Sequence, residues 1–252
     1  MSKNFELLQQ VDLSAGLVDA AQMHAPVAIR ARNGNGHAPR LNIDRVTEQE
    51  TLRLVQSIFL TAGANPPGVA MFSGIDSGNG CSHVCAQAAA VLAGSVAGSV
   101  CLVDANLRTP ALPEFFGVTN HHGLADSLRS TGAIRNFAKK LGPDNLWLLS
   151  CGLLAADSSA LINSELMKAR VAELRQEFDY VLIDSPPLNT YSDGMILGQL
   201  ADGVVLVLEA NATRREATLN VAANLRAAHI KIFGAVLNKR TFAIPEALYR
   251  ML

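Results

Sequence analysis

The stretch Val69 to His83 constrains this chain more than any other: Val-Ala-Met-Phe-Ser-Gly-Ile-Asp-Ser-Gly-Asn-Gly-Cys-Ser-His. An apolar run, Val69 to Phe72, meets a glycine-bearing loop, Ser73 to Gly80, and helix-compatible residues rich in alanine follow from Cys81 to Ala93. Strand, glycine loop and helix in this order form a phosphate-binding loop, in which backbone N–H groups and a helix N-terminus hold an anion. Gly78 and Gly80 let the backbone approach a phosphate, and Ser82 stands where a hydroxyl reaches Mg²⁺. The residue after the last glycine should be a lysine; here it is Cys81. The loop therefore lacks its main positive charge.

The 252 residues suffice for one large α/β domain with a tail and a sizeable core. With apolar residues at 49% and charged ones at 17%, a well-covered sheet is expected. A net charge of −1 without a basic block argues against nucleic-acid and anionic-lipid binding. Cys81, Cys85, Cys101 and Cys151 lie in apolar or helical stretches and do not outline a disulfide framework. Met1 to Gln10 is polar and charged rather than leader-like, so a reducing cytoplasm is the expected compartment. Cys85 to Val103 carries no charge and contains Gly94 and Gly98 at G-x-x-x-G spacing. It consists mostly of Ala, Gly, Ser and Val, too weakly apolar for a span, and divides into a helix end and a strand.

Residues 1–40 show little periodicity, and Arg30 to Arg40 is rich in Gly, Asn and Arg, so a flexible tail is expected before a domain over 41–252. Thr47 to Leu60 reads as a helix with Thr47 and Glu50 as a capping box and Leu52, Val55, Ile58 and Phe59 as its apolar stripe. Pro66-Pro67-Gly68 ends that pattern. Strands are then expected at Val69–Phe72, Ser99–Ala105, Leu146–Cys151, Tyr180–Asp184, Gly203–Glu209 and Ile232–Leu237. Helices are expected at Cys81–Ala93, around Ala125–Leu128, and at Ser164–Phe178, Tyr191–Leu200 and Arg214–Ala228. Continuously apolar strands alternating with helices imply a doubly wound, mainly parallel sheet with helices on both faces. Ligands of such sheets bind at the carboxyl ends of the strands.

Two of those ends carry carboxylates. Asp104 closes the run Leu102-Val103-Asp104, and Asp184 closes Val181-Leu182-Ile183-Asp184. Alone, each could cap a helix; beside a phosphate loop, acidic strand ends hold the metal of a Mg²⁺-nucleotide. Cys81, His83 and Cys85 do not make a metal site, because His83 points away from the face the cysteines share and no other Cys/His pair has usable spacing. Cys81 at a helix start could be a thiol of lowered pKa, but a small apolar filler in a vacated lysine position is the simpler reading. His121-His122 lies in a loop and is read as solvated.

These motifs resemble the cytoplasmic P-loop domain of the bacterial tyrosine kinases of capsular and exopolysaccharide synthesis, relatives of the septum-site and plasmid-partitioning ATPases. The likeness runs from about Glu48 to Arg240. The family's Thr-Ser-x-x-Pro-Gly-Glu-Gly-Lys-Ser-Thr loop aligns on Ser73 to His83 and keeps Gly78, Gly80 and Ser82. Its apolar-Asp-x-Asp-x-Arg-x-Pro motif appears as Asp104, Asn106, Arg108 and Pro110, and Ile-Asp-x-Pro-Pro is intact at Asp184, Pro186 and Pro187. Gly123-Leu124, Asp193, Asp202-Gly203 and Gly234 to Asn238 also match. The resemblance implies an ATP and Mg²⁺ site. It assigns nucleotide contacts to Ser77, Gly78, Asn79, Gly80, Cys81, Ser82, His83, Arg108 and Asn238, the last near the adenine. It assigns the metal to Ser82, Asp104 and Asp184, and catalytic positions to Asp104, Asn106 and Asp184.

The departures bear on activity. Cys81 replaces the lysine, His83 a threonine, Asn79 a glutamate, Ser77 a proline and Asn106 the second aspartate. No lysine occurs between Lys3 and Lys139, so a substitute would have to come from Arg108 or Lys239. The oligomerisation motif Glu-x-x-Arg-x-x-Arg survives as Glu50 and Arg53 and then ends in Gln56. Tyr249 is the one tyrosine after Tyr191, so the tail autophosphorylation of the family is not expected. The expectation is a degenerate family member, a cytoplasmic regulatory subunit of polysaccharide assembly docked on a membrane chain-length regulator. The alternative is an active ATPase or autokinase with an unusual loop; Arg108 and Pro110 disfavour a partitioning ATPase.

Overall fold

A computed structural model describes residues 26–28, 41–60, 66–141, 145–153 and 158–240. Most of the expected tail, including Arg30 to Arg40, lies outside these residues, as does Tyr249. Within the segment expected to be a tail, β1 (Pro26–Ala28) pairs antiparallel with β2 (Asn42–Asp44), Val27 opposite Ile43.

The main sheet contains β3 (Val69–Gly74), β4 (Val100–Asp104), β5 (Lys139–Leu141), β6 (Leu146–Leu149), β7 (Tyr180–Ser185), β8 (Gly203–Glu209) and β9 (Ile232–Asn238). Their order is β5-β6-β4-β7-β3-β8-β9, with every pairing parallel except β5 against β6. β5 was not expected, because a short strand that begins with two exposed lysines carries no apolar run.

Both faces of this sheet are covered, and β3 shows why its strands need no polar alternation. Val69 and Met71 enter one core with Val171, Leu174, Leu197, Val221 and Leu225. Ala70 and Phe72 enter the other with Val55, Phe59, Val84, Ala88 and Leu92. The first core is roofed by α5 (Glu165–Glu177), α6 (Asp193–Leu200) and α7 (Arg215–Ala227), the second by α1 (Arg45–Val55) and α2 (Cys81–Ser95). Two single turns, α3 (Leu112–Phe115) and α4 (Leu124–Ser127), fill the connections after β4. Ser164 caps α5 through its hydroxyl, which accepts the Met167 N–H at 3.2 Å.

The first helix departs from expectation in three ways. It starts at Arg45, so Thr47 lies inside it rather than at a capping box. It continues as a π-helical turn, Gln56–Leu60. Leu54 takes the buried position assigned to Leu52, which is only half-buried. Among the described residues no helix is long and apolar enough to cross a membrane.

Candidate functional site

The chain reverses direction of winding beside β3, which lies between β7 and β8. A crevice outside the carboxyl ends of these strands is where doubly wound sheets take ligands. The loop after β3 sits there, and its base is fixed on both sides. The Leu188 and Asn189 N–H groups donate to the carbonyls of Gly74 and Ile75 at 3.0 Å each, and the Ile75 N–H to Val207 at 3.4 Å. The Ser73 hydroxyl donates to the Pro186 carbonyl at 2.9 Å. Gly78 and Gly80 have φ of 85° and 81°, left-handed conformations that favour glycine. Gly80 is also the residue on which α2 begins. Asn79, which replaces the family's glutamate, is buried, and its side-chain oxygen accepts the Asp76 N–H at 2.8 Å. It stiffens the loop from within. Ser77 stands exposed at the tip.

Asp104 and Asp184 are register partners on β4 and β7 and are both fully buried. Asp104 Oδ2 accepts the Leu112 N–H at 3.2 Å; among the described residues Asp104 Oδ1 and both oxygens of Asp184 have no hydrogen-bond partner. Burial pushes the Asp184 carboxyl up to about 6, restrained by the Ser82 hydroxyl and the Cys81 thiol beside it. Burial, then the charge of Asp184, holds Asp104 well above the usual carboxylate range against the N–H groups of Leu112, Asn106 and Ala111. Two buried carboxylates with orphaned oxygens, facing the start of a loop helix, are hard oxygen ligands of the kind Mg²⁺ takes. The residues present fit a divalent cation at Asp104, Asp184 and Ser82.

The lysine position is different. Cys81 is half-buried, and its thiol is pushed well above its ordinary value by burial, then by the charge of Asp184. The helix start does not activate it. Cys85 is raised for the same reasons, and no group of three or more His, Cys, Asp or Glu among the described residues has metal-site geometry. His83 lies against Phe115, ring centroids 5.4 Å apart, and Nε2 pairs with the Gln87 amide at 3.0 Å. Burial lowers its pKa, so it contributes no cation near neutral pH. His121 and His122 are exposed, as expected.

Two expected site residues are turned to other tasks. Asn106 makes a local turn with Thr109, accepting its N–H at 3.2 Å and donating to its hydroxyl at 3.1 Å. Arg108 pairs with the nearly buried Asp193 at 3.0 Å and lies over the Tyr191 ring at 4.2 Å. It is held along the α6 start rather than at the loop.

A cation that does reach the loop is Lys239. Its ammonium donates to the Gly78 carbonyl at 2.6 Å and pairs with Glu209 at 3.1 Å. The neighbouring Asn238 amide donates to the Asn79 carbonyl at 2.9 Å, and a side chain added at Gly80 would run into it. Asn238 was expected at the nucleotide, and here it braces the loop. Lys239 adopts φ 55°, an uncommon conformation for a residue with a side chain. The sequence signal for both was the polar Asn-Lys pair ending an apolar strand.

No family model matches the chain. Over 213 residues it is 27% identical to the tyrosine-protein kinase YwqD of Bacillus subtilis, covering 82% of this chain and 90% of that protein. Over 139 residues it is 32% identical to the tyrosine-protein kinase wzc of Salmonella typhi, covering 55% of this chain but only 19% of that longer protein. Its fold superposes on the kinase domain of the Escherichia coli tyrosine kinase ETK with a TM-score of 0.78 at 20% identity, over 97% of this chain and 99% of that domain. Retained loop glycines, paired strand-end aspartates and these likenesses make the chain a relative of the bacterial tyrosine-protein kinases.

Proposed function

We propose that the chain is a degenerate kinase-like P-loop protein, acting as a regulatory subunit in the synthesis and export of a capsular or exopolysaccharide. The observation that carries the reading is Cys81. Between Gly80 and Ser82, where the fold calls for an ammonium, stands a neutral thiol whose deprotonation is opposed by burial and by Asp184. Phosphoryl transfer depends almost wholly on positioning and on electrostatic stabilisation of the moving group. A charge-assisted contact to phosphate contributes about 1.5–3 kcal/mol, so its loss weakens nucleotide binding and harms catalysis more. Asn106 removes a further charge from the metal's neighbourhood, and its side chain is committed to Thr109.

The rest of the site supports retained binding of a Mg²⁺-nucleotide. The loop amides from Gly78 to Ser82 would hold phosphates, and Asp104, Asp184 and Ser82 would hold the metal, which supplies the divalent charge that two buried carboxylates lack. Asn79, Asn238 and Leu188 keep the loop in its shape without a ligand. Such a site suits a subunit that reports nucleotide state to a partner. By resemblance that partner is a membrane chain-length regulator, on which the chain docks from the cytoplasmic side.

A second reading, a working autokinase or ATPase, is favoured by one observation: the Lys239 ammonium at the loop. Autophosphorylation and ATP hydrolysis by the unmodified chain with Mg²⁺, compared with Asp184→Ala, separate the two. The regulatory reading expects no difference between them.

A further inference from the structure

We infer that Lys239 is a phosphate-binding residue of this chain, its ammonium serving the nucleotide phosphates in place of the lysine absent at Cys81. The inference rests on the nucleotide-site reading above. Lys239 lies 161 residues from Gly78 in sequence, yet its ammonium bonds to the carbonyl of that loop glycine at 2.6 Å. Lys239 has a left-handed backbone, φ 55°, uncommon for a residue with a side chain. Arg108 offers no substitute, because Asp193 and Tyr191 hold it.

The anionic partner of Lys239 is Glu209, at 3.1 Å, with the two side chains 49% and 25% exposed. An ion pair so exposed is weak. A polyphosphate on the loop amides carries more negative charge than Glu209, and a lysine head on a flexible stem can turn to it without moving the backbone. Lys239 is thus a cation parked on the loop by a neutral carbonyl and a weak surface carboxylate, available to an incoming anion.

The plain alternative is a strut that only steadies the loop. The two roles predict opposite effects at Glu209. If Lys239 is a strut, removing Glu209 loosens it and weakens nucleotide binding. If it serves the phosphates, removing Glu209 frees the ammonium and strengthens binding.

The test is calorimetry of the full chain with Mg²⁺–ATP and with AMP. Lys239→Met is expected to weaken ATP about tenfold or more, equivalent to 1.4 kcal/mol, while AMP changes by less than about twofold, since AMP has no β- or γ-phosphate for the ammonium to meet. Glu209→Gln is expected to tighten ATP several-fold, and Cys81→Lys to restore ATP binding in the Lys239→Met background. Equal weakening of ATP and AMP by Lys239→Met, or weaker ATP binding by Glu209→Gln, overturns the inference. If Lys239→Met does not fold, the sign of the Glu209→Gln effect decides. Wild type that fails to bind ATP while Cys81→Lys binds it overturns the role of Lys239 and leaves the nucleotide-site reading standing. Failure of both proteins to bind overturns the two together.

Discussion

Asp104 and Asp184 stand in register on two neighbouring parallel strands, fully buried, and three of their four carboxylate oxygens lack a hydrogen-bond partner among the described residues. A fold does not ordinarily leave such groups side by side, because unpaired buried charge is costly. The pair is a standing destabilisation that a bound divalent cation would relieve.

Asp184→Asn should therefore stabilise the ligand-free protein near pH 7.5. With its carboxyl pushed up to about 6, the folded state holds a proton that the unfolded state releases near 4. Stability at this residue is thus highest at low pH and is lost as pH rises from about 4 through about 6, and the raised Asp104 extends the loss upward. The expected gain is on the order of 1–3 kcal/mol, a melting temperature higher by several degrees. Thermal melts in a chelator across pH 4–8 check this, and a lower melting temperature for the variant at pH 7.5 contradicts it.

Asp202 gives the opposite slope. Its Oδ2 accepts the Val69 N–H at 2.8 Å and pairs with Arg175. Burial opposes its charge, but Arg175 and the N–H groups of Val69 and Gly68 outweigh it and lower the pKa. This stability is present above the unfolded value, about 4, and is lost as pH falls through the lower folded one. Because the pair is partly exposed, Asp202→Asn should cost less than about 1 kcal/mol at pH 7. The difference from wild type should vanish in melts near pH 2; a difference that grows on acidification is the contrary result.

Gly80→Ala should damage both fold and site. The residue has φ 81°, where a side chain costs roughly 1–2 kcal/mol, and its Cβ would strike the Asn238 amide that braces Asn79. Denaturant melts should show a loss of at least that size, together with weaker nucleotide binding. A variant as stable as wild type would mean the loop can re-form without that brace.

Glu50 and Arg53 are predicted to carry a contact between copies or with a partner. Arg53 pairs with Glu50 at 2.8 Å, and its side chain is 67% exposed, whereas Glu50 is buried, its Oε2 lacking a hydrogen-bond partner among the described residues. A solvated i,i+3 pair would bury neither group. Arg53→Glu should shift the mass distribution in sedimentation toward smaller species; an unchanged distribution, with and without the partner, sinks the contact.

The loop and the sheet were legible because they are local. Val69–Phe72 announces itself by continuous apolar residues and Gly78 and Gly80 by spacing, whereas Ser73 and Gly74 carry β3 past the apolar run. What sequence concealed depends on distant partners. Asn106 and Arg108 stand in their motif, but Thr109 and Asp193 decide where they point. Lys239 could be named as a possible substitute but not placed, since only the parallel neighbours β3, β8 and β9 bring it to Gly78. β5 stayed hidden because its pairing with β6, rather than its own composition, makes it a strand.

The central claim is that a neutral Cys81 leaves a binding site without a catalyst. The most direct test is Mg²⁺-dependent ATP turnover by wild type, Asp184→Ala, Cys81→Lys and Cys81→Lys with Asn106→Asp. No turnover above Asp184→Ala is predicted for wild type or for Cys81→Lys, and hydrolysis only when Asn106→Asp is added. Robust turnover by wild type that Asp184→Ala abolishes would contradict it.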